Sequence, residues 1–215
     1  MAIKLIEDSI TWKENLAGDP IKHQVDVRLH PRPSHSIVLI IPGIDGSVDG
    51  YKDKYIKMAE KILTEQHKSV IRVSNPYISQ QGWGDNIDHI MQYIHRNSRN
   101  ICGEQKYDLE IIAHSAGASV VAWMAHEYPE ITKLVLINMS ANLQPQLIKR
   151  GLRNYSGKTH IVYGDQDPSI DFANDLAEWV ETHIIRGADH QFTGKHFDDF
   201  INTVDLLSTT KESHV

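Results

Sequence analysis

The chain reads as an α/β protein, one domain built on a doubly wound, mostly parallel sheet with helices on both faces. Three observations predict this. From about residue 36 to the end, strand-like segments alternate with helix-like ones, the signature of crossover units. The principal apolar runs are continuous rather than alternating, as in strands covered on both faces. A chain of 215 residues, 40% hydrophobic and 23% charged, also suits a single globular unit that buries a core without disulfides or metals. The expected unit is residues 1–215, with residues 1–35 an N-terminal edge-strand region and Ser208 to Val215 a frayed tail.

Each element has a local reason. Val25 to Leu29 alternates with a period of two and predicts an edge strand with one solvated face. Ser36 to Ile41 is the first continuous apolar run, ended by Pro42-Gly43. Tyr55, Met58, Ala59, Ile62 and Leu63 share a helix face. Val70 to Val73 predicts the next strand, and Ile87, Ile90, Met91 and Ile94 a helix with Asp85 as its N-cap. Leu109 to Ala113 is a third buried strand, followed by a helix from Ala116 to Tyr128 that ends at Pro129. Leu134 to Ile137, His160 to Tyr163 and Thr182 to Ile185 complete the strands. Between and after them lie helices at about Gln144 to Arg153, Ile170 to Trp179 and Phe197 to Leu207.

Composition excludes several classes of function. The net charge of −6 and the lack of any basic run give no footprint for nucleic acid. Apolar runs such as Ile37 to Ile41 are far too short for a membrane span. Cys102 is the lone cysteine and reads as a packed helix-end residue; it asks for no oxidising compartment. The N-terminal stretch is broken by charges every few residues and has no cleavable-signal pattern, so a soluble, cytoplasmic protein is expected. The thirteen histidines are scattered without His-Glu-x-x-His spacing, and no metal or cofactor is expected.

The chemistry concentrates at Ala113-His114-Ser115-Ala116-Gly117, where a buried strand runs into a serine and a helix begins at once. A sharp strand-to-helix turn needs small neighbours two residues away on either side, and Ala113 and Gly117 supply them. Such a turn lifts the hydroxyl above the sheet and aims the first helix N–H groups at the same point. Two later strands also end in polar turns. Tyr163 is followed by Gly164-Asp165-Gln166-Asp167-Pro168, and Ile185 by Gly187-Ala188-Asp189-His190 after one arginine. A parallel sheet delivers all of these to its carboxyl edge.

On these residues the chain resembles the α/β-hydrolase superfamily, whose nucleophile elbow is usually Gly-x-Ser-x-Gly; alanine replaces the first glycine here. The resemblance implies a triad in the chain order Ser115, Asp167, His190. It implies an oxyanion hole from the backbone N–H of Ala116 and of Ile44, with Pro42 where relatives often carry histidine. Many relatives insert a lid before the acid-bearing strand, but Asn138 to Thr159 has room for only one short helix, so an open site is expected. An open site suits polar or bulky acyl groups better than single long lipids. The expected activity is that of a serine hydrolase cleaving a small-molecule ester or thioester, and no oligomeric state follows. A peptidase, amidase or acyltransferase would use the same acyl-enzyme, and an inactive relative would keep the pocket for binding alone.

Competing readings remain for single residues. Asp165 competes with Asp167 for the acid, although Pro168 stiffens the turn at Asp167. His114 reads as a packed neighbour of the nucleophile, and Gly43 and Asp45 as loop residues beside the pocket. Trp83, between two glycines, is either a core anchor or a pocket wall.

Overall fold

The computed structural model describes residues 4–14, 20–77, 82, 84–140 and 144–208. Eight strands form one sheet in the order β1-β2-β4-β3-β5-β6-β7-β8. They are β1 (Ile6–Glu14), β2 (Ile21–His30), β3 (Ser36–Ile41), β4 (Ser69–Val73), β5 (Asp108–His114), β6 (Ile131–Ile137), β7 (Lys158–Gly164) and β8 (Glu181–Ile185). From β4 to β8 every neighbouring pair is parallel, whereas β1 and β2 run antiparallel to their neighbours.

Helices cover both faces. One apolar layer packs α2 (Asp85–Cys102), α3 (Ser115–Met124), α4 (Pro145–Asn154) and α5 (Ile170–Leu176) against residues such as Leu39, Ile111 and Leu136. The opposite layer packs α1 (Lys54–Lys61) and α6 (Phe197–Asn202) against Val38, Ile112 and Val162. Strand order reverses between β3, which crosses through α1 to β4, and β5 on its other side. That reversal opens a crevice at the carboxyl ends of β3 and β5, where ligands bind in open α/β sheets. The short helix of the Asn138–Thr159 interval does not roof this crevice. α4 lies against α3, and a Cβ at Gly151 would come 2.3 Å from the carbonyl oxygen of Ala122. Among the described residues no helix is long and apolar enough to cross a membrane.

The structure departs from the sequence expectations in four places. Val25 to Leu29 is not an edge, because β1 pairs along the whole outer side of β2. Charges at Glu7, Asp8 and Lys13 hide β1, yet Ile6, Ile10 and Trp12 turn inward and pack on the core. Asp85 is the first helical residue rather than the cap; Gly84 holds the cap position. The helix at Ile170 stops at Leu176, where the amides of Trp179 and Val180 both turn back to the Leu176 carbonyl and start β8. The last helix tightens after Asn202 into 3₁₀ turns that run to Ser208; residues 209–215 of the expected frayed tail lie outside the described residues.

Candidate active site

Ser115 sits at the junction of β5 and α3 with φ of 55°, a left-handed conformation that a serine adopts only when its surroundings enforce it. The enforcement comes from contact. A Cβ at Gly117 would lie 2.2 Å from the Pro42 carbonyl oxygen, so only glycine lets α3 start this close to the loop after β3. Ala113 is buried, paired between Ile41 of β3 and Leu136 of β6. Ser115 and Ala116 therefore stand at the N-terminal end of a ten-residue helix, whose first N–H groups lack intrahelical acceptors.

His190 and Asp167 reach this point from the turns after β8 and β7. His190 Nε2 is 2.9 Å from Ser115 Oγ, and His190 Nδ1 is 2.5 Å from Asp167 Oδ2. The Asp167 carboxylate is buried, and its other oxygen accepts the Ser169 amide at 2.7 Å. Asp165 points elsewhere: one of its oxygens accepts the Gly187 amide at 2.6 Å and the Gln166 side chain at 3.0 Å. Those bonds hold its carboxyl below the ordinary aspartate range. The two turns touch because Gly164 has no side chain; a Cβ there would meet the Ala188 carbonyl oxygen at 2.2 Å.

Two buried polar residues fix the backbone that carries His190. His114 Nε2 donates to the His190 carbonyl at 2.9 Å, since a carbonyl can only accept. Full burial, with the Lys54 ammonium nearby, drives the His114 pKa well down, so the ring is neutral. Asn138, at the carboxyl end of β6 with φ of 44°, donates to the same carbonyl at 2.9 Å and accepts the Gly164 amide at 2.9 Å. One amide side chain thus ties the end of β7 to the loop that carries His190. The sequence reading passed over Asn138, whose one local signal is its place just past a buried strand.

The loop after β3 forms the near wall. A turn closes between the Gly43 carbonyl and the Gly46 amide. Asn75 pins it from the loop after β4, donating its side-chain amide to the Pro42 carbonyl at 3.1 Å. A Cβ at Gly43 would lie 3.0 Å from that of Ser115, so the loop backbone passes directly over Ser115. Ile44 is half exposed at the rim. Asp45 does not line the cavity; it accepts the Tyr77 amide at 2.9 Å. Trp83 lies outside the described residues.

Ser115, His114, His190, Gly43 and Ile44 line a cavity of about 260 Å³ whose far wall is Tyr51, Lys54, Tyr55 and Gln191. Lys54 is the feature the sequence hid. It is 2% exposed, its ammonium lies 4.2 Å from the Phe200 ring centroid and 5.2 Å from that of Tyr55, and it donates to Gln191 Oε1 at 3.2 Å. Burial pulls its pKa down to about 8, against the opposing pull of Asp189. In the sequence it is one lysine among charged residues at the start of a helix.

No family model matches the chain, and no curated protein matches it in sequence. Solved structures do match in shape. Est1E from Butyrivibrio proteoclasticus is similar with a TM-score of 0.68 at 16% identity, over 93% of this chain and 97% of that one. The Pyrococcus furiosus esterase Pf2001 gives 0.68 at 14% identity, over 96% and 93%. An alpha-beta serine hydrolase homologue from Coxiella burnetii gives 0.62 at 17% identity, over 92% and 96%. At such identities the likeness is one of fold, and it identifies the architecture as an α/β-hydrolase fold without a lid domain.

Proposed function

We propose that the protein is a serine hydrolase, of the carboxylesterase or thioesterase kind, that cleaves a small acyl substrate through an acyl-enzyme on Ser115. One observation carries the reading: a continuous hydrogen-bonded relay from Ser115 Oγ through both ring nitrogens of His190 to a buried carboxylate of Asp167. In this reading Ser115 Oγ attacks the acyl carbonyl as His190 Nε2 takes its proton. Asp167 holds the imidazole in the tautomer that accepts there and stabilises the imidazolium. The carbonyl oxygen gains its negative charge beside the N–H groups of Ala116 and Ile44. His190 then protonates the leaving alkoxide or thiolate. Water, deprotonated by the same nitrogen, cleaves the acyl-enzyme to carboxylate and free serine. The neutral state of His114 favours this cycle, because a second cation beside the imidazolium would oppose it.

Lys54 sharpens the substrate class. Among the described residues its one hydrogen-bond acceptor is Gln191, so its remaining N–H donors are available to a ligand in the shared cavity. This supports an acyl group that carries its own carboxylate over a plain aliphatic one.

The test begins with a fluorophosphonate probe on native, heat-denatured and Ser115→Ala protein. Labelling of the native form alone is expected; equal labelling of the alanine variant would place the nucleophile elsewhere, and no labelling would favour a binding protein. A paired assay on p-nitrophenyl acetate and the p-nitrophenyl monoester of succinic acid then reads the preference, with the higher kcat/KM expected for the succinate ester.

A further inference from the structure

We propose that His160, Glu181 and His183 form a divalent metal site, best suited to Zn²⁺, at the amino ends of β7 and β8, the opposite edge of the sheet from Ser115. The register of the sheet builds it. His160 of β7 lies directly across from Glu181 of β8, and His183 is two residues further along β8, so all three side chains project from one face. His160 Nδ1 is 3.2 Å from His183 Nε2 and 3.4 Å from Glu181 Oε2, and His183 Nε2 is 3.4 Å from Glu181 Oε1.

The 3.2 Å between the two ring nitrogens fits two corners of a tetrahedral site, and the Glu181 carboxylate faces both nitrogens through its two oxygens. Ligands bound at about 2.0–2.1 Å at the corners of a tetrahedron are about 3.3 Å apart, the arrangement Zn²⁺ takes with nitrogen and carboxylate donors. Neighbouring ligands of an octahedral Mg²⁺ at the same bond length are about 2.9 Å apart, and Mg²⁺ takes oxygen rather than imidazole donors. Two imidazoles and one carboxylate make a set of borderline hardness, which also points to zinc. The ammonium groups of Lys158 and Lys133 act against a cation here, and the Glu181 carboxylate answers them. Access is open. The side chain of His160 has no exposed surface, but those of His183 and Glu181 are 31% and 55% exposed, leaving the fourth coordination position to water.

The consequence is mechanical. β8 is an edge strand held by a single ladder to β7, and its far end leads into the loop that carries His190. A metal bridging the two strands would lock their register at the end remote from the site. Linear spacing could not announce this, because one ligand lies across a strand pair from the other two.

The test uses chelator-treated full-length protein titrated with Co²⁺. One equivalent is expected to give the intense visible bands of four-coordinate cobalt, and Zn²⁺ is expected to displace them stoichiometrically while raising Tm by several degrees. Both exposed ligands are then varied, since a change at buried His160 can unfold the chain. His183→Ala and Glu181→Gln are each expected to weaken binding more than tenfold and to remove the Zn²⁺-dependent rise in Tm. Absence of the cobalt bands, or equal binding by both variants, would overturn the site and leave a hydrogen-bonded His–His–Glu group. Ser115→Ala protein is expected to bind metal as the wild type does, so this outcome is independent of the esterase reading.

Discussion

The same two strands, β7 and β8, end in polar clusters of different construction. At their carboxyl ends Asp167 and His190 sit in turns, and each turn is held by bonds from elsewhere: Asn138 just after β6, His114 of β5 and the backbone after β7. At their amino ends His160, Glu181 and His183 are placed by the ladder alone, as cross-strand and next-but-one neighbours. The first cluster is set by the tertiary fold, through bonds from other elements. The second is set by register, and two of its three members face solvent. Disturbing one residue should therefore propagate at the carboxyl edge and stay local at the amino edge.

The largest expected effect tests the carboxyl edge at its centre. Ser115→Ala should lower turnover of an activated ester by a factor on the order of 10⁶, with Tm nearly unchanged, since the hydroxyl serves the reaction and not the core. Next is the acid. Asp167→Asn should cost about 10⁴ in kcat, because an amide facing His190 Nδ1 stabilises the wrong tautomer. Parallel measurement of Asp165→Asn should find near-normal turnover and a small loss in stability, from its loop amides. A large catalytic loss at Asp165 with normal turnover at Asp167 would reverse the two roles.

Asn138→Ala sharpens the comparison further. It removes the donor to the His190 carbonyl and the acceptor of the buried Gly164 amide, and it puts alanine at a φ of 44°. Denaturant unfolding should show a loss of about 3 kcal/mol, with kcat falling as the base loses its support. His183→Ala, at the amino edge and without metal, should leave kcat unchanged.

Lys54→Met is the mildest. Replacing a buried ammonium by an uncharged side chain of similar length should stabilise the fold by about 2 kcal/mol at pH 7. The sign of its pH dependence follows from the lowered pKa. The folded chain releases the Lys54 proton near pH 8 and the unfolded chain near 10.5, so wild-type stability gains on the variant between those values. The advantage of methionine should be full below about pH 8 and vanish by about 10.5. An advantage independent of pH would mean that packing, not charge, separates the two.

Legibility in the sequence follows the same division. The parallel strands were readable because burial on both faces leaves continuous apolar runs such as Ile37 to Ile41. Ser115, Asp167 and His190 were readable because each stands at a strand end in a fixed chain order, a signal that is local at every step. β1 was not, since a strand with one open face can carry Glu7, Asp8 and Lys13 and still turn Ile10 and Trp12 inward. Lys54 and Asn138 were not, because their importance lies in what is packed around them, and a lone lysine or asparagine looks the same in solvent. The His160 cluster depends on which residue of β8 sits opposite which residue of β7, and that register is not written in either segment.

If the proposed activity holds, the buried ammonium of Lys54 has a consequence for product release. Hydrolysis turns a neutral ester carbonyl into a carboxylate, and in this cavity it does so with a fixed cation in the facing wall. On the proposed activity the released acid would be a better ligand than the group it came from, and its departure rather than bond cleavage would be the slow step. Free carboxylates of matching size should inhibit competitively, and added salt should relieve that inhibition and raise kcat. Lys54→Met protein should turn over neutral esters without such retention.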